Sequence, residues 1–178
     1  MLSPNQDEWI ASLSDEDRIK IIPLDPTADV KFEAVKQKIE AVLGKRQKVV
    51  HRGATSLGIS GQDEIDIYIP VPEKEFNSFI VPLSTIFGEP HSLYPLNRAR
   101  FVTQQDGKYI TVFLMNNSCD AWLTGIKFEN YLRSHPDTLD AYRQLKEAGD
   151  GLSIREYYRR KVEFINEILS LADKTEIP

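Results

Sequence analysis

The chain predicts a mixed α/β fold of the α+β kind: a mixed β-sheet covered by helices, continued by a helical C-terminal part. Three observations carry the prediction. Glu64 to Val71 alternates strictly, with Ile65, Ile67, Ile69 and Val71 on one face and Glu64, Asp66 and Tyr68 on the other. Arg98 to Gln104 and Lys108 to Met115 flank Asp106-Gly107, a hairpin signal that an all-parallel sheet would lack. Apolar residues recur at helical spacing both before the first strand and after the hairpin.

Taken in order, Pro4 to Leu13 reads as a short helix, with Trp9, Ile10 and Leu13 on one side. Asp25-Pro26 offers an N-cap and a first-turn proline for a second helix that carries Phe32, Val35, Ile39, Val42 and Leu43 and ends at Gly44. Gln47 to His51 is a short strand entering a glycine-containing turn, Gly53 to Gly61, ahead of the alternating strand. Phe76, Phe79, Ile80 and Leu83 mark a helix that Pro82 is expected to break in two. After the hairpin come helices over 119–134, 136–148 and 153–172, the last with the capping box Ser153-Ile154-Arg155-Glu156.

These elements divide into an N-terminal helical extension over 1–20, an α/β core over 21–117, and C-terminal helices over 118–178 packed on that core as one domain. At 178 residues and 41% apolar composition, the chain is long enough to bury a sizeable core. No apolar stretch is long enough to span a bilayer, so no membrane association is expected. The opening residues are polar and acidic, unlike a secretion leader, and cytoplasm is the expected compartment. Cys119 is the single cysteine, which excludes intrachain disulfides and cysteine-based zinc sites. A net charge of −5 speaks against general nucleic-acid binding, while a few local cations suffice for a small phosphorylated ligand.

The chemistry concentrates between residues 51 and 66. A strand leading into a small-residue turn exposes backbone N–H groups that can hold phosphate oxygens, and Thr55 and Ser56 add hydroxyls. Glu64 and Asp66 project from one strand face about 7 Å apart at the backbone, a spacing that lets two carboxylates converge on Mg²⁺. The same alternation also fits the solvated side of an amphipathic strand. Arg98 and Arg100 share a face of the first hairpin strand, either as phosphate cations or as a solvated edge. Lys161 falls on the apolar stripe of the last helix, where it must snorkel, pair with an acid or reach a ligand. His51 is placed to orient the turn by hydrogen bonding or to act chemically. Arg155, Arg159 and Arg160 read as a solvated helix face.

The run Gly53-Ala54-Thr55-Ser56-Leu57-Gly58, followed by Ile65-Asp66-Ile67, resembles the GrpB-like family, whose usual form is His-x-Gly-Ser-Thr-Ser-Val-Pro-Gly before an Ile-Asp-Ile strand. Ile22-Pro23-Leu24-Asp25-Pro26 is similar to the family's entry segment. Phe128-Glu129-Asn130-Tyr131-Leu132-Arg133-Ser134-His135-Pro136 is similar to a second signature. The resemblance covers about residues 20 to 170. It implies the nucleotidyltransferase fold shared with polymerase β-like enzymes. Taken together with the readings of the residues above, it points to Glu64 and Asp66 as catalytic and Mg²⁺-binding residues, with Asp66 the match to the family aspartate, and to Gly53, Thr55, Ser56, Arg100, Lys161 and His51 as nucleotide or phosphate contacts. The sequence departs from the family at Ala54, at Leu57-Gly58 and at Gln62-Asp63. Thr111 and Phe113 stand where the family carries a His-x-His pair, and no third carboxylate is evident. Two functions are therefore expected: a nucleotidyltransferase that uses Mg²⁺ on a nucleotide or other phosphorylated molecule, or a non-catalytic binding or accessory module on the same scaffold. Fusion of family relatives to dephospho-CoA kinase fits the second.

Overall fold

The computed structural model of the chain describes residues 1–175. Their strands form one sheet in the order β1-β2-β5-β4-β3, comprising β1 (Val50–Arg52), β2 (Glu64–Val71), β3 (Ser92–Tyr94), β4 (Arg98–Gln105) and β5 (Lys108–Asn116). β2 and β5 run parallel, and every other neighbouring pair is antiparallel. The sheet is thus mixed, as the hairpin predicts. The helices are α1 (Pro4–Ala11), α2 (Ala28–Leu43), α3 (Gly53–Ser56), α4 (Phe76–Phe87), α5 (Asp120–Ser134), α6 (Pro136–Glu147) and α7 (Ile154–Thr175). None is long and apolar enough to cross a membrane.

The described residues form two compact units. A sheet unit holds Pro23–Ile59 and Asp63–Leu123, and a helical unit holds Met1–Ile22, Ser60–Gln62 and the chain from Thr124 onward. Residues 1–22 thus share a unit with the C-terminal helices.

In the sheet unit, one face carries the core. Ile65, Ile67, Ile69 and Val71 of β2 and Ile110, Val112 and Leu114 of β5 are fully buried, joined by Ala99 and Phe101 of β4. Ala28, Phe32, Val35 and Ile39 of α2 and Phe76 and Leu83 of α4 complete that cluster. The β4–β5 turn forms as expected, with Asp106 and Gly107 both at positive φ (50° and 76°), the twist a two-residue hairpin needs. Two expectations are corrected, and one strand is new. α4 runs unbroken through Pro82, because Phe76 and Leu83, one in each half, are fully buried and hold both halves in the core. Asp25 does not cap α2, whose N-cap is Thr27. Its Oδ1 instead accepts from the Thr27 N–H (2.8 Å) and hydroxyl (2.7 Å), and its Oδ2 from Lys31 Nζ (2.7 Å). β3 was not anticipated, since its three residues show no apolar alternation.

The helical unit is closed by contacts between its ends. Ile19 N–H donates to Leu152 O (2.9 Å) and Gly151 N–H to Ile19 O (2.9 Å), while Gln6 Nε2 donates to Asn166 Oδ1 (3.2 Å). Trp9 meets the Tyr158 ring edge-on at 5.5 Å. Arg155 and Arg159, expected in solvent, fasten this segment. Arg155 Nε and Nη2 donate to Leu13 O (3.1 and 2.9 Å), and Arg159 pairs with Asp7 (3.1 Å). Ser153 caps α7 by accepting from the Glu156 N–H (3.2 Å).

Candidate functional site

Strand alternation assembles the site. Because Ile65, Ile67 and Ile69 are drawn into the core, Glu64, Asp66 and Tyr68 are turned to the opposite face, where all three are half-buried. Register then supplies their neighbours on that face. Arg52 of β1 is opposite Asp66, while Tyr109, Thr111 and Phe113 of β5 lie beside Glu64, Asp66 and Tyr68. Thr111, almost fully buried, directs its Oγ1 to Glu64 Oε2 at 3.4 Å. The Phe113 ring stacks on Tyr68 with centroids 4.7 Å apart.

The glycine bend enters from β1. Gly53 has φ 76°, and a Cβ placed there would collide with Oδ2 of Asp66. The carboxylate of Asp66 therefore lies directly against the bend, and in this place a side chain at residue 53 would displace it. Glu64 and Asp66 are oxygen donors of the kind Mg²⁺ takes in small number while completing its shell with water and phosphate oxygens. That donor set and the Cβ-free cradle beside it fit such an ion. Among the described residues no group of three or more His, Cys, Asp or Glu side chains converges, so a cage built wholly of protein ligands is absent from them.

The remaining expected residues are distributed otherwise. Thr55 and Ser56 lie in the bend, with hydroxyls engaged locally: Thr55 Oγ1 with His51 Nε2 (2.9 Å), and Ser56 Oγ donating to Gly53 O (3.1 Å). His51 is in register with Ile67 and so faces the core side. There its ring stacks on Phe32 (4.8 Å), and Nδ1 lies 3.2 Å from Asp29 Oδ1. It joins β1, α2 and the bend, away from the face that bears Asp66. Arg100 shares the acid-bearing face but stands on β4, opposite Phe113 and separated from β2 by β5. Lys161 belongs to the helical unit, with its Nζ 5.2 Å from the Tyr158 ring centroid.

Arg52 escaped sequence reasoning. It is only 6% exposed, and its guanidinium lies over the rings of Tyr68 (4.7 Å) and Trp122 (5.2 Å). Its sole signal was position, next to the bend. A three-residue strand gives no periodicity from which to infer that it faces Asp66.

The sequence model of the family described as GrpB protein matches residues 18–171. Among solved structures, the conserved protein GrpB from Enterococcus faecalis is similar at a TM-score of 0.67 and 22% identity, over 87% of this chain and 98% of that one. A polymerase beta from Leishmania infantum, in a ternary P/T complex, is similar at a TM-score of 0.39 and 14% identity, over 84% of this chain and 67% of that one. No curated protein matches the chain.

Proposed function

This chain belongs to the GrpB protein family, and from that premise we propose that it binds a nucleotide or another phosphorylated small molecule together with Mg²⁺ on the acid-bearing face of its sheet. Glu64 and Asp66 hold the cation, and the backbone amides of the Gly53 bend take phosphate oxygens. The observation that carries this reading is the packing of the Asp66 carboxylate against Gly53, where a side chain would force that carboxylate to shift. A bound Mg²⁺ would neutralise the phosphate charge and orient the chain of phosphates.

Transfer of a nucleotidyl group to a hydroxyl or phosphate acceptor is the activity implied by the nucleotidyltransferase scaffold that the motif resembles. One observation favours a second reading, a binding or accessory module without turnover. The β5 positions beside Asp66 and Tyr68 hold Thr111 and Phe113, and neither side chain serves as a base near neutral pH.

Calorimetry with Mg²⁺ and each nucleotide tests binding. The expected result is Mg²⁺-dependent affinity that falls by about tenfold or more in Asp66→Asn. Absent binding, or affinity indifferent to that substitution, removes the reading. Incubating labelled nucleotide with cell extract then separates turnover from binding, since labelled product would exclude the accessory role.

A further inference from the structure

Two arginines of β4 stand apart from every ion pair in the sheet unit. Arg98 and Arg100 alternate with the buried Ala99 and Phe101, so both point to the face that carries Asp66. Both are half-buried, and among the described residues neither has a carboxylate partner. The guanidinium of Arg98 lies 4.8 Å from the centroid of the exposed Tyr94 ring, and its Nε is buried with no acceptor. A buried N–H without an acceptor is costly and uncommon in native proteins, so the Arg98 guanidinium is not satisfied by the protein alone. In register with these arginines, β3 places Ser92 opposite Arg100 and Tyr94 opposite Arg98.

We propose that Arg98 and Arg100, with Ser92 and Tyr94, form a subsite for the phosphate group of a small molecule. The paired Nη–H groups of a guanidinium match two oxygens of one phosphate, and a second guanidinium on the same face matches its second charge. Ser92 adds a hydroxyl, and Tyr94 walls one side of Arg98. The overall charge of −5 disfavours an extended polyanion here, so the phosphate belongs to a small molecule. Two strand spacings, about 10 Å, separate β4 from β2. The subsite is therefore a second position on the face that bears Glu64 and Asp66. If Glu64 and Asp66 hold a nucleotide, as the function proposed above requires, the molecule held by β4 is a phosphorylated acceptor.

The arginine Nε–H resonances of the full chain, titrated with inorganic phosphate at constant ionic strength, test the subsite. Saturable shifts of Arg98 and Arg100 that chloride does not reproduce are expected. Arg98→Lys, which keeps the charge and loses the fork, should weaken phosphate by about tenfold, as should Arg100→Gln. No saturable shift overturns the proposal. So does undiminished affinity in a folded Arg98→Gln/Arg100→Gln protein, or loss of phosphate binding in Asp66→Asn alone, which would put the anion at the bend. Phosphate shifts that persist in a protein unable to bind nucleotide uphold the subsite and remove the nucleotide reading instead.

Discussion

Asp25 shows how one carboxylate ties several segments together. Lys31 and the hydroxyl and amide of Thr27 all donate to it, and these bonds hold its carboxyl well below the usual carboxylate range. Lys108, at the start of β5, lies 3.9 Å away and also pairs with Asp63, which precedes β2. A carboxylate depressed in the folded state contributes stability above its unfolded value near pH 4, and that contribution fades as pH falls through the folded value. Asp25→Asn should therefore cost about 2 kcal/mol in urea unfolding at pH 7. The gap to wild type should narrow steadily below about pH 4. A pH-independent gap would mean that the bonds to Asp25 do not depend on its charge. At this scale the sequence revealed the acids but not their partners. Glu64 and Asp66 were legible because alternation reports which face a side chain takes. Arg52 was not, because pairing across strands is a tertiary fact, and the same applies to His51, whose turn toward α2 follows from the register of a three-residue strand.

Elements were legible where local chemistry and tertiary demand agree. Asp106-Gly107 specified its turn because both residues tolerate positive φ, and β2 kept the bounds its alternation predicts. α4 differed because propensity and packing conflict there, and packing won. A proline in a helix interior costs about 3 kcal/mol, which the burial of two large apolar side chains offsets. Leu83, immediately after Pro82 and fully buried, should consequently be intolerant of truncation. Leu83→Ala is expected to lose about 3 kcal/mol. Val81→Ala, at a site 70% exposed, should change stability by about 0.5 kcal/mol or less. Equal losses at the two positions in denaturant titrations would refute the idea that burial holds the second half of α4 in the helix.

At the scale of the whole molecule, the fold class followed from the order of the elements, whereas the division into units did not. Nothing in the composition marks Met1–Ile22 as the companion of helices that follow Thr124, because Leu152, Arg155 and Asn166, to which it is bonded, lie more than a hundred positions away. Ile10 and Ile19 of this segment are buried, and it satisfies the side chains of Asn166, Arg155 and Arg159. The core cluster of the sheet unit, by contrast, runs from Ala28 to Leu114 and draws on no residue of that segment. Removing residues 1–22 should therefore loosen the helical unit selectively. Hydrogen exchange followed by mass spectrometry is expected to show amides of 151–170 exchanging about tenfold faster or more, as local opening becomes easier. Peptides from β2, β4 and β5 should keep their protection, because the apolar contacts that shield them are intact. Equal loss of protection in both units would show that they open together, and the N-terminal segment would then be a support of the whole chain.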